Sequence, residues 1–193
     1  MDDTGKILEF KEKPRPEEVF SNILNTGVYV ANRDVLDFIP EDTMYDFSKE
    51  LIPLLMEKGY RIQGYKDPGH WMDIGRPKDF LGANLLTAGK KFSGYDWSSQ
   101  TKDSKVSGTS YLGKGTHVKD SVISSSVVSE GCKVNDTKLS NSLVLSGCVL
   151  DDCVIENTIL GKDCKIKDCT LKDCVLADGT VLDEKVLENH RGE

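Results

Sequence analysis

The 193-residue chain predicts two folds in series, an α/β segment followed by an all-β parallel β-helix of about five coils. Three observations carry this expectation. Fifteen aliphatic residues from Val106 to Leu182 recur at steps of five or six, Leu112, Ile123, Leu145, Leu150, Ile155 and Leu171 among them. Two positions before nearly every one stands Ser, Thr or Cys, with Leu143 the single exception. One position earlier comes a turn former such as Gly115, Asp120, Asp136, Gly147, Asn157 or Gly179. No α-helix or flat sheet repeats its apolar residues at such steps, whereas a three-sided parallel β-helix does.

Each repeat in the array is a short strand and a corner. The aliphatic side chain points inward, the small residue shares the interior beside the corner, and Gly, Asp or Asn tolerates the positive φ of the bend. Every third aliphatic falls on one face: Leu112, Val128, Leu145, Leu160 and Leu176 follow at steps of 16, 17, 15 and 16. Five coils at about 4.8 Å give a prism roughly 24 Å long. One coil cannot bury its own apolar face, so the stack is cooperative and both ends need cover. The tail from Asp183 to Glu193 can serve one end and the preceding domain the other. All six cysteines occupy the small inward position, where they alternate with Ser and Thr. Zinc sites favour ligands two to four residues apart, so rung spacing marks these thiols as reduced core filler, Cys132, Cys148 and Cys164 stacking on one face.

The first half reads element by element. Residues 6–13 alternate like a strand and stop at Pro14, and 21–31 carry a second strand. Asp34 to Ile39 is a short helix ending at Pro40. Asp46 caps a longer helix through Leu51, Leu54, Leu55 and Met56, kinked by Pro53 and ended by Gly59. Residues 60–65 form a further strand before the turn Asp67-Pro68-Gly69. Pro77 opens a helix to about Lys90. The domain expectation is therefore 1–91 as a partial α/β domain, 92–105 as a Ser-, Lys- and Asp-rich linker, 106–185 as the β-helix and 186–193 as a polar tail.

A net charge of −7 with no basic stripe argues against nucleic acid as a partner. No apolar run approaches the ~20 residues a membrane span needs. Unpaired core cysteines suit a reducing compartment, so the cytoplasm is expected.

The segments FKEKP (10–14), LNTGVYV (24–30), YDFSKELIPLL (45–55) and HWMDIGRPKDFLGAN (70–84), followed by the hexapeptide array, resemble the C-terminal part of a sugar-1-phosphate nucleotidyltransferase. The NTG-x-Y, DFSKELIP and W-x-D-I-G-x-P segments most resemble the mannose-1-phosphate guanylyltransferase branch, with glucose-1-phosphate adenylyl-, uridylyl- and thymidylyltransferases as neighbours. The resemblance implies a left-handed β-helix, although parallel crossovers are ordinarily right-handed. It implies a reaction in which a sugar-1-phosphate oxygen attacks the α-phosphorus of a nucleoside triphosphate and pyrophosphate leaves.

Site roles follow from the same resemblance. Lys13 matches the lysine that contacts the sugar phosphate and counts as catalytic. Glu12 matches the carboxylate that takes sugar hydroxyls. Asn25 and Gly27 match sugar-contact positions, and Asp73 matches a Mg²⁺ carboxylate. Read without the resemblance, Glu12 and Lys13 are a solvated surface pair and Asp73 is a turn residue. Family members also carry a Gly-rich loop with Arg and a catalytic Lys, together with another magnesium Asp. Neither occurs in this sequence, so the expectation is a C-terminal portion that folds and does not catalyse alone, forming a homo-oligomer or pairing with a chain that supplies the N-terminal half.

Two other classes compete. A β-helix acyltransferase using acetyl-coenzyme A would need a histidine base, and His117, expected to face outward, is the candidate within the array. A non-catalytic assembly module would use the flat outer faces of the prism.

Overall fold

The computed structural model describes residues 1–92 and 96–192. The chain divides into two compact units, Met1–Trp71 and Met72–Glu193.

The first unit contains less strand than its alternation predicts. Residues 6–13 and 60–65 meet at one antiparallel bridge, Lys6 with Gln63. Ile7 N–H donates to Ile62 O (2.9 Å) and Gly64 N–H to Gly5 O (2.8 Å). Residues 21–31 form no strand. Alternation supplies the propensity, but a strand also needs a neighbour to bond. Val28 and Val30, which an extended chain turns to one side, are 76% and 102% exposed, so that side is uncovered within the unit.

The helical expectations hold better. Arg33–Phe38 forms a 3₁₀ stretch. Asp46 starts the longer helix, its Oδ1 accepting Ser48 N–H (2.7 Å) and Lys49 N–H (3.0 Å). Pro53 has no N–H to return to the preceding turn, and the chain answers with a wide turn over Phe47–Leu51, where Leu51 N–H reaches back to Asp46 O (3.2 Å). Helix α1 (Ile52–Glu57) follows, and Gly59 at φ +78° ends it. Leu51, Ile52 and Leu55 are buried here.

In the second unit, seventeen strands of two or three residues run among the described residues from β1 (Thr101–Lys102) to β17 (Val186–Glu188). They form parallel sheets of six, six and five strands, and every third strand is a neighbour. This is a three-sided β-solenoid of about six turns, one more than expected, in accord with a left-handed β-helix. Its register is strict: Leu150 pairs with Val134 on one side and Ile166 on the other. Positive φ recurs at all three corners, at Asp120, Asp136 and Asp152 on one, Asn141, Asn157 and Asp173 on the next, and Gly115, Gly131 and Gly147 on the third.

The small inward residues bond the coils together. In one column Ser126 N–H donates to Ser110 Oγ (3.3 Å), Ser142 N–H to Ser126 Oγ (3.1 Å), and Thr158 N–H to Ser142 Oγ (3.0 Å). Each hydroxyl also donates locally, as Ser142 Oγ does to Ser140 O (2.7 Å). All six cysteines are free and buried, as expected. Hydrogen bonding to the Cys132 and Cys164 thiols on either side, with burial added, pushes the Cys148 thiol far above the ordinary range.

Three details correct the sequence reading. Val144, not Leu145, fills the interior, and Ser142 takes the small position that Leu143 had seemed to break. Three adjacent aliphatics leave the frame open by spacing alone; the chain keeps the hydroxyl column and turns Leu143 outward. There it is buried with Val127 and Ile159 beneath Leu81 and Ala88 of helix α2 (Pro77–Phe92). This helix therefore belongs to the second unit and was assigned to the first domain only because its amphipathic pattern does not name its partner.

The described residues of the expected linker 92–105 pack on the array. Phe92 and Trp97 pack against Tyr111, with ring centroids 4.5 Å and 5.7 Å away, and Gln100 Nε2 donates to Gly113 O (2.7 Å). Residues 93–95 lie outside the described ones. The described part of the tail, 186–192, joins the array: β17 pairs with Thr170–Lys172, and Val175 N–H donates to His190 O (2.8 Å).

Leu150→Ala should destabilise the second unit by about 2–5 kcal/mol in chemical denaturation, through lost burial and the cavity left behind. Val149→Ser, one residue away on the outer surface, should stay within about 0.5 kcal/mol. A thiol-reactive dye should find no rapidly reacting cysteine in the native chain and all six after unfolding.

Candidate active site in the first unit

Four of the five expected site residues lie within Met1–Trp71. Glu12 is half-buried and Lys13 exposed. Lys13 adopts φ +47°, an uncommon backbone state for a residue with a side chain, just before Pro14. Neighbouring Lys11 is held by Glu18 (2.8 Å), whereas Lys13 makes no ion pair among the described residues. Its charge is close enough to Asp46 to favour the carboxylate.

Asp46 forms the second feature. The Lys49 and Ser48 amides at the helix start hold its carboxyl below the usual range, and the Lys49 and Lys13 charges add to this. A depressed carboxyl stabilises the fold above its unfolded pKa and loses that contribution as pH falls through the folded value. The cap is therefore intact at neutral pH and released only in acid.

The third feature is Asn25. Its Nδ2 donates to Tyr29 Oη (2.6 Å) and to Ser48 Oγ (3.0 Å), and its Oδ1 accepts Gly27 N–H (3.1 Å). Tyr29 stacks on Phe47 at 5.6 Å. Gly27 has φ +73° and nothing within 4 Å of where a Cβ would stand, so conformation rather than packing demands glycine. Asn25 and Gly27 are thus brought together, and Asn25 connects to the start of the longer helix. Tyr29, Asp46 and Ser48 were not singled out from sequence as site residues, although the NTG-x-Y and DFSKELIP segments contain them.

Asp73 belongs to the second unit. It is exposed, and its Oδ1 accepts Gly75 N–H (2.9 Å) in a local turn. Among the described residues no group of three or more His, Cys, Asp or Glu is arranged to hold a metal. His117 faces outward as expected, with Nδ1 3.0 Å from Gly115 O. No helix among the described residues is long and apolar enough to cross a membrane.

The first unit thus offers an exposed cation, a capped helix start and a linked set of amide and hydroxyl groups. Residues 1–89 match the nucleotidyl transferase family. Residues 91–171 match the GlmU-like C-terminal hexapeptide model.

Among similar curated proteins is a UTP–glucose-1-phosphate uridylyltransferase from Synechocystis sp., 31% identical over 63% of this chain and 35% of its own length. A glucose-1-phosphate adenylyltransferase from Acetivibrio thermocellus is 32% identical over 63% of this chain and 30% of its own. Another, from Desulfitobacterium hafniense, is 39% identical over 42% of this chain and 21% of its own. The chain thus spans about a third or less of the curated relatives it matches.

Gly27→Ala should cost about 1–2 kcal/mol of local stability by forcing a Cβ into the left-handed region. Amide exchange across residues 24–30 should rise, while exchange in the β-helix stays unchanged.

Proposed function

We propose that the chain is the C-terminal portion of an enzyme that makes a nucleotide-diphosphate sugar from a nucleoside triphosphate and a sugar-1-phosphate, and that it is inactive alone. The observation that carries this is the placement of Lys13, Asn25, Gly27 and Asp46 in one unit, within the stretch that matches a nucleotidyl transferase. A sugar-phosphate oxygen would form the new bond to the α-phosphorus while the bond to pyrophosphate breaks. The Lys13 ammonium would offset repulsion between the two anions. Glu12 would accept hydrogen bonds from sugar hydroxyls, Asn25 would contact the sugar, and Gly27 would admit it close to the backbone.

Magnesium belongs to this proposal only in part. Asp73 would contribute one hard oxygen ligand, and the described residues do not by themselves complete a metal site. The ion would bring charge neutralisation to the complete enzyme.

Mannose-1-phosphate with GTP is the favoured pair, supported by the NTG-x-Y, DFSKELIP and W-x-D-I-G-x-P segments. The similar proteins are named for glucose-1-phosphate with UTP or for adenylyl transfer, so those pairs are the alternatives. The six free cysteines support the cytoplasm. The exposed faces of residues 23–30 support a partner segment that supplies the missing part of the sheet. A second reading, assembly through the prism, is favoured by Val122, Val154 and Val186, which recur exposed on one outer face at every second coil.

The chain alone, given GTP and mannose-1-phosphate, should release no pyrophosphate, and the same should hold for UTP or ATP with glucose-1-phosphate. Adding a chain that carries the Gly-rich half should restore activity, and Lys13→Ala should then lower kcat/KM by about 10²-fold or more. Turnover by the chain alone would refute its inactivity. Restoration with glucose-1-phosphate only would reassign the sugar.

A further inference from the structure

Asn25, Tyr29 and Ser48 close a triangle. Two sides come from Asn25 Nδ2, and the third is the 2.9 Å contact between Tyr29 Oη and Ser48 Oγ. The donor count fixes its chemistry. A carboxamide nitrogen has two hydrogens, enough to give one to each hydroxyl. Its oxygen takes the Gly27 N–H, so a flipped amide would set donor against donor there. One hydroxyl must donate to the other. The closed unit therefore retains a single O–H donor and spare lone pairs, the pattern that pairs with a sugar hydroxyl.

Ser48 comes from a different part of the chain than the other two, 23 residues beyond Asn25 and 19 beyond Tyr29. Its own backbone is fixed, because its N–H donates to Asp46 Oδ1 (2.7 Å). The adjacent Phe47 stacks on the Tyr29 ring at an interplanar angle of 20°. Consecutive residues of the wide turn thus hold the face and the tip of Tyr29, and the second of them also holds Asn25.

We propose that Ser48 is a positioning residue whose hydroxyl presets Asn25 and Tyr29 as one polar unit for a sugar-phosphate hydroxyl. This rests on the reading of Asn25 as a sugar contact. The reason for a preset unit is energetic: a carboxamide held by both hydrogens and its oxygen loses no rotamer freedom when a ligand binds.

The full chain, ¹⁵N-labelled, tests it. Ser48→Ala should move the Asn25 side-chain amide resonances to random-coil positions, and Ser48→Thr should return them. Tyr29→Phe keeps the ring and removes the other hydroxyl, so it should disturb the same resonances without touching the helix start, whether or not Ser48→Ala folds. In titrations with mannose-1-phosphate or glucose-1-phosphate, Ser48→Ala should weaken binding by about three- to tenfold and leave inorganic phosphate unaffected. Asn25 resonances unmoved in both the alanine and the phenylalanine variants would overturn the proposal, as would equal sugar-phosphate affinity in wild type and Ser48→Ala. If the resonances move as expected and neither sugar phosphate binds any form, the positioning stands and the sugar reading falls.

Discussion

The second unit depends on a constraint at the inner edge of each corner. There is room for only a small side chain, and in a column such as that of Ser110, Ser126, Ser142 and Thr158 that side chain also receives the amide of the next coil. A hydroxyl meets both demands, since it donates within its own coil and accepts from the next. Removing one would leave a buried amide without its partner, which costs more than the bond returns when made. A thiol satisfies the volume and donates, as Cys153 Sγ does to Asp151 O at 3.1 Å, but it accepts weakly. The cysteines are thus compatible with the column through size, and the Ser and Thr residues also bond it.

This constraint explains what the sequence revealed and where it misled. The steps of five or six identified the solenoid, its interior and its free thiols, because each is set within one coil. At Leu143, Val144 and Leu145 the apolar spacing gave no choice of frame. The hydroxyl column gave it, because Ser142 lies 16 residues from both Ser126 and Thr158. Leu143 then had to face outward, where helix α2 covers it. Helix α2 was legible as a helix but not as part of this unit, because an amphipathic stripe states that something is covered and not what covers it. The same holds for Trp97, whose neighbours are polar enough to read as linker while its ring packs on the prism.

In the first unit the elements set by neighbouring residues were legible: the Asp46 cap, the effect of Pro53 and the stop at Gly59. Elements that require a distant partner were not. Residues 21–31 have the composition of a strand, yet only residues 6–13 and 60–65 touch as strands do, and only at one bridge. The candidate site divides in the same way. Asn25 and Gly27 stood out because they share a motif. Ser48 was hidden because its role is a contact across 23 residues, which no local pattern contains.

One rule therefore accounts for both halves of the molecule. A rung of two or three residues has almost no stability alone, and the array is ordered because each rung finds an equivalent partner 16 or 17 residues away. Residues 23–30 are as apolar as those rungs, with Leu24 at 77% exposure, but the first unit repeats nothing and gives them no strand neighbour. Its order rests instead on three buried side chains at the helix, Leu51, Ile52 and Leu55, and on polar links such as those of Asn25 and Asp46. Those links are worth little each in water and more once the surface around them is covered. A partner that covers residues 23–30 would therefore do more than complete a sheet. It would raise the local cost of breaking the Asn25–Tyr29–Ser48 triangle, so that completing the fold and tightening the candidate site become the same event.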